Sequence, residues 1–182
     1  MQKFVKMTGM TMLVAVLLLL SVGCFAENSS TKSQNDVVDL NKFPAFTTVD
    51  IEGNTVTQEI FKGKKVTVIN IWGTFCPPCI GEMPELGNWA REMPADAQII
   101  GIVCDIGDKN DKKTINKAKK ITAEANVKFV NIIPDEEIMT YLERVEAVPT
   151  TIFVNSEGKI IGETVVGADV DKYKALLKRY LK

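Results

Sequence analysis

Residues 72–84 read WGTFCPPCIGEMP, with Cys76 and Cys79 two residues apart and Pro77–Pro78 between them. Three chemistries use such a pair. A zinc clasp needs two further ligands, usually a second pair or histidines. The chain has no histidine, and Cys104 alone does not complete a site. A structural staple is equally poor, because a crosslink between residues three apart closes a tiny loop and removes little entropy from the unfolded chain. A redox pair fits the flanks. The preceding KKVTVINIW (64–72) is rich in β-branched and apolar residues, the pattern of a buried strand. After the cysteines, Ile80, Met83, Leu86, Ala90 and Met93 recur every three or four residues, which predicts the apolar stripe of a helix, kinked at Pro84. Cys76 then stands at a helix N-terminus, where free N–H groups and the helix dipole stabilise a thiolate. Cys76 is the expected exposed nucleophile, and Cys79, one turn further in, the expected buried resolving thiol. Pro77 removes an N–H from the first turn, leaving the thiolate one donor fewer, which favours a reducing centre.

Working outward, FTTVDIEGNTVT (46–57) alternates around Gly53–Asn54 and reads as a hairpin. AQIIGIVCDI (97–106) is a second buried strand. Residues 111–126 predict a lysine-rich helix with Ile115, Ala118, Ile121 or Thr122, and Ala125 inward. The lysines at 109, 112, 113, 117, 119 and 120 form its solvated face. VKFVNII (127–133) reads as a short strand and DEEIMTYLERV (135–145) as a short helix capped by Asp135. TTIFVNSEGKIIGETVVG (150–167) reads as a hairpin turning at Ser156–Gly158. A last helix from Asp169 buries Val170, Tyr173, Leu176, Leu177 and Tyr180. Strands and helices alternate, then a hairpin and a helix close the chain. The implied class is α/β, a central mixed β-sheet flanked by helices, with an extra N-terminal β-hairpin.

Of the 182 residues, 46% are apolar, enough for one packed core, and the net charge of −1 argues against a nucleic-acid partner. The absence of histidine also removes Cys–His pairs and Ser–His–Asp triads. Four cysteines are too few for a disulfide-dense scaffold. Lys3 and Lys6 precede an apolar run from Met10 to Gly23, and the uncharged stretch Met7–Phe25 is long enough to span a bilayer. Residues 1–24 therefore read as an export signal or anchor, 25–41 as a polar linker and 42–182 as the domain. Cys24, in LLSVGC, resembles the lipidated cysteine of a bacterial lipobox. A retained span, or cleavage after Ala26, are the alternatives, and each places the domain outside the cytoplasm on the cell membrane. Cys104, at a strand end, is either an inert buried thiol or a third redox cysteine.

The domain resembles the thioredoxin superfamily, and more closely the TlpA/ResA-like membrane-tethered thiol–disulfide oxidoreductases of bacteria. The likeness covers about residues 42–182. It rests on the C-x-x-C after a strand, on VPTTIFVNSEGKII (148–161), and on Glu82 and Pro84 three and five residues after Cys79. It implies a thioredoxin fold and a redox-active disulfide in place of a cofactor. It implies a cis Pro149 that exposes the Val148 backbone to an extended client, and a tryptophan, Trp72, under the active site. Many thioredoxins carry an aspartate where this chain has Asn70, which does not titrate, so Glu82 becomes the proton acceptor for Cys79. Pro77 and Pro78 replace the commoner Gly-Pro. The implied activity is reduction of protein disulfides by a monomer. The implied partners are exported clients, such as apocytochrome c or a methionine sulfoxide reductase, and a membrane electron donor of the CcdA/DsbD type. Three rivals are an oxidising or isomerising enzyme, a client-binding module without turnover, and a peroxiredoxin. The last expects threonine where Gly73 stands.

Overall fold

The computed structural model describes residues 41–182; the apolar run, residues 25–40 of the linker and Cys24 lie outside the described residues. Strands β1 (Thr47–Val49) and β2 (Thr55–Thr57) form an antiparallel hairpin. Its turn needs Gly53 at φ +95° and is tied by the Asp50 carboxylate, which accepts from the N–H groups of Glu52 and Asn54. A short 3-10 helix, Gln58–Phe61, follows. The frame is then β3 (Val66–Trp72), α1 (Pro77–Glu92), β4 (Ala97–Val103), α2 (Lys112–Glu124), β5 (Asn131–Ile132), α3 (Glu136–Leu142), β6 (Thr150–Val154), β7 (Val165–Val166) and α4 (Val170–Tyr180).

The main sheet has the order β5-β4-β3-β6-β7, with β3, β4 and β5 parallel and β6 and β7 antiparallel. Two right-handed crossovers stepping in one direction carry α1 and α2 to the same face. That face holds Val66, Val68 and Trp72 of β3 against Met83 and Leu86 of α1, Ala118 of α2 and Tyr173 and Leu176 of α4. The alternate β3 residues Ile69 and Ile71 face Ile138 of α3 and the aromatic cluster Phe43, Phe46 and Phe61. β3 is buried at every position because helices cover one face and α3 with the N-terminal segment covers the other. The β1–β2 hairpin closes the β5 edge through Ile51 N–H to Asn131 O and Ile133 N–H to Val49 O, both 2.9 Å, so that edge offers no free ladder.

Several elements depart from their sequence reading. Ile80 is exposed, not inward; the sheet takes Cys79, Glu82, Met83 and Leu86, and Ile80 lies about 100° around the helix from Cys79. α1 runs through Pro84 as a single helix, with the proline on its exposed side. β5 keeps only two of the seven residues read as strand. Beyond the turn at Ser156–Gly158, Val154 faces Ile160 whereas Thr150 faces Val166, so two extra residues bulge out between the bridge and β7. The lysine face of α2 is exposed except for Lys119, which is half-buried and paired to Glu52 at 2.9 Å. Among the described residues no helix is long and apolar enough to cross a membrane.

Candidate active site

β3 ends at Trp72, and Gly73–Phe75 turn the chain into α1. Asp105, just past β4, holds this turn: its carboxylate accepts from Thr74 N–H at 2.9 Å and Thr74 O–H at 2.6 Å. Cys76 is the N-cap of α1, in extended backbone, and its Sγ accepts from Cys79 N–H at 3.2 Å. Pro77 and Pro78 fill the first two helical positions, which lack N–H groups to offer. Cys79 N–H is therefore the first donor the helix presents to that sulfur, and the helix field remains.

Cys76 and Cys79 form a disulfide. Cys79 is fully buried and Cys76 is 4% exposed, so Cys76 is the outer sulfur but not the openly exposed nucleophile expected. The reason is a loop from across the sheet: Val148 O lies 3.4 Å from Cys76 Sγ, and the Val148–Pro149 bond is cis. Pro149 is tied in turn by Gly167 N–H to its carbonyl at 2.8 Å. Phe75 and Ile80, which flank the two cysteines in the chain, are exposed, and so is Val166, which pairs with Thr150 next to Pro149.

Beneath the disulfide, Glu82 lies one turn past Cys79 on the same side of α1 and is 6% exposed. Asn70 Nδ2 donates to Oε1 at 2.8 Å and Tyr173 O–H lies 3.1 Å from Oε2. Burial outweighs these two donors and, with a small push from Glu85, raises the carboxyl to about 7. Asn70 Nδ2 also reaches Thr151 Oγ1 at 3.1 Å, while its Oδ1 is buried without a partner. Asn70 and Tyr173 thus cradle Glu82, and Thr151 buttresses Asn70 from β6. The sequence reading noticed Asn70 only as a lost acid and took Tyr173 as core. No local signal marks Thr151.

Trp72 is fully buried in the same core as the two cysteines, and its Nε1 donates to Asn131 Oδ1 at 2.9 Å. This bond crosses Gly101 of β4, where a Cβ would sit 2.0 Å from Asn131 Oδ1 and 3.0 Å from Trp72 Nε1. A glycine inside a strand pattern is the signal for such a close approach. Gly101→Ala is expected to cost about 1–3 kcal/mol by overpacking, read as a lower urea midpoint with an unchanged slope. An unchanged midpoint would show that the tryptophan contact yields freely. Cys104 is half-buried; burial and the Asp105 charge raise its thiol to about 11, so it stays protonated and weakly nucleophilic at neutral pH. Among the described residues, no group of three metal-ligating side chains comes together.

The comparisons agree with this geometry. Residues 40–177 match the Redoxin family. The chain is 31% identical over 175 residues to the thiol–disulfide oxidoreductase ResA of Bacillus cereus, covering 93% of this chain and 92% of that one. A thioredoxin-family thiol:disulfide interchange protein from Chlorobium tepidum superposes with a TM-score of 0.64 at 18% identity, over 78% of this chain and 97% of that one. The pneumococcal exposed lipoprotein thioredoxin from Streptococcus pneumoniae gives 0.62 at 21%, over 75% and 99%. These two likenesses carry the fold. With the family match, the ResA likeness and a disulfide-bonded C-x-x-C capping α1, the chain belongs to the Redoxin family as a ResA-like thiol–disulfide oxidoreductase of the thioredoxin superfamily.

Proposed function

We propose that this oxidoreductase works as a reductant of disulfides in exported proteins, held at the outer side of the cell membrane by its N-terminal segment with Cys24 as the lipidated residue. The observation that carries the site assignment is Cys76, capping α1 with its sulfur 3.4 Å from Val148 O and a buried Glu82 one turn below. In the reduced enzyme the Cys76 thiolate attacks a client disulfide. One client sulfur leaves as a thiolate and the other becomes bonded to Cys76. Cys79 then gives its proton to Glu82, and its thiolate attacks Cys76 Sγ. The mixed disulfide breaks, the Cys76–Cys79 bond forms, and the client departs as a dithiol with two electrons gained. A membrane dithiol donor, of the CcdA/DsbD type in the ResA-like reading, returns those electrons.

An extended client segment would lie along Val148, pairing with its backbone, with the exposed rings and branched chains of Phe75, Ile80 and Val166 as apolar neighbours. The clients in this reading are exported proteins with accessible disulfides, apocytochrome c and methionine sulfoxide reductases among them. Pro77 and Pro78 support the reducing direction, because each lacks an N–H that would otherwise hold the thiolate.

The test is the reduction potential of the Cys76–Cys79 couple in the full chain, equilibrated against dithiothreitol or glutathione. A value near or below roughly −250 mV is expected. A value of roughly −120 to −180 mV would make the protein an oxidant or isomerase. If no reversible two-electron couple appears, the exchange mechanism fails.

A further inference from the structure

The Tyr173 ring is fully buried on α4, and its hydroxyl sits between two acceptors. Gly167 O is 2.6 Å away and Glu82 Oε2 is 3.1 Å away, while Asp169 N–H donates to the phenol oxygen at 3.3 Å. A phenol carries one proton, so it serves one acceptor at a time. The charge on Glu82 decides which. An ionised carboxylate offers a charge-assisted bond and draws the proton toward Oε2. A protonated carboxyl is itself a donor. Its O–H turns to the phenol oxygen, and the phenol proton swings to Gly167 O. The change needs only rotation about the phenol C–O bond.

Gly167 leads directly to the loop beside the disulfide. Its N–H donates to Pro149 O at 2.8 Å, and the two residues before it, Val165 and Val166, pair with Thr151 and Thr150. Its φ of +93° is a conformation that favours glycine. Glu82, Tyr173, Gly167 and Pro149 are thus connected by three hydrogen bonds that start under Cys79 and end next to Cys76.

We propose that Tyr173 is a positioning residue that transmits the protonation of Glu82 to the Pro149 loop, by moving its single proton between the Glu82 carboxylate and the Gly167 carbonyl. The switch itself requires only that Glu82 titrates; its use in catalysis rests on the proton-acceptor role proposed for Glu82. When Cys79 hands over its proton, the Gly167 carbonyl regains a donor, and the loop flanking Cys76 is braced as the client leaves. The other groups facing the pair are few. Glu85 adds a weak repulsion from α1, and Asn70 of β3 donates to the opposite carboxylate oxygen. Thr151 of β6 approaches the Tyr173 hydroxyl, and Asp169 presents its backbone N–H. Cys79 does not titrate while disulfide-bonded.

The oxidised full chain, labelled with carbon-13, tests this by nuclear magnetic resonance. In the wild type the Glu82 carboxyl and the Gly167 carbonyl are expected to shift with one common midpoint. Tyr173→Phe keeps the ring and removes the hydroxyl. It should raise the Glu82 midpoint by about one pH unit, because the carboxylate loses a donor, and leave the Gly167 carbonyl flat. A flat Gly167 signal in the wild type overturns the proposal. So does a Gly167 signal that still follows Glu82 in Tyr173→Phe, or an unmoved Glu82 midpoint. Should that variant fail to fold, Glu82→Gln decides: a Gly167 signal flattened by it supports the switch, and one still titrating refutes it. Failure of disulfide exchange in a separate turnover assay would leave these titrations standing, so the two readings fail independently.

Discussion

Cys76→Ser is expected to bring disulfide-exchange turnover down to the uncatalysed rate, while Cys79→Ser stalls after one half-reaction with the client bonded to Cys76. The asymmetry follows from the site. Cys76 is the outer sulfur, at the end of α1 and against Val148 O, whereas Cys79 is sealed within the core. A serine hydroxyl in place of Cys76 stays protonated at neutral pH and cannot open a client disulfide. A serine in place of Cys79 cannot resolve the mixed disulfide that Cys76 still makes. The check is an assay with a peptide disulfide, followed by non-reducing electrophoresis and mass mapping of the adduct. Turnover by Cys79→Ser at the wild-type rate would sink the two-thiol mechanism. An adduct mapped to Cys104 would instead make that thiol a redox partner, against the high thiol pKa its burial imposes.

Glu82→Gln should slow the enzyme and stabilise it in the same stroke. Burial raises the Glu82 carboxyl from 4.5 to about 7. Below pH 4.5 folded and unfolded chains both hold the proton, and stability is greatest. Between 4.5 and 7 the unfolded chain releases a proton that the fold retains, so stability falls as pH rises and levels off above 7. The full loss is about 3 kcal/mol, at 1.36 kcal/mol per pH unit. Glutamine carries no such cost. It keeps the geometry by accepting from Asn70 and donating to the Tyr173 oxygen, which leaves the phenol proton for Gly167 O. At pH 8 the oxidised variant should therefore melt roughly 6–12 °C above the wild type, while at pH 4 the two should nearly coincide. Exchange near neutral pH should fall by about 10²-fold, the low end of general acid–base effects, with the limb of the pH–rate profile near 7 removed. Calorimetry across pH 4–8 and stopped-flow exchange on the same protein read both effects. Equal pH dependence of stability in the two proteins would show that Glu82 does not titrate in the fold.

Much of the architecture was legible because its signals are short-range. β3 announces itself by a run of β-branched residues, and α2 and α4 by apolar spacing, with Asp111 and Asp169 found as their caps in the structure. The redox pair is legible for the same reason: a C-x-x-C at a strand–helix junction needs only local geometry to become chemistry. The inward stripe of α1 was misassigned at Ile80 because an apolar residue next to a functional cleft is spent on the surface, not in the core. The two-residue bulge before β7 was invisible, since it depends on how β7 returns to β6 and not on its own sequence.

The amino-acid sequence by itself determined the α/β class, the two cysteines and the acid one turn below them, since each depends on residues within a few positions of one another. Only the tertiary structure decided what surrounds that acid. Asn70 and Tyr173 reach Glu82 from β3 and α4, Thr151 of β6 accepts from Asn70 behind them, and the Tyr173 contact spans 91 positions of chain. The Val148 carbonyl reaches Cys76 across 72. Burial is what raises an ordinary helix glutamate's carboxyl to about 7, and burial belongs to the packed assembly, not to any segment of it.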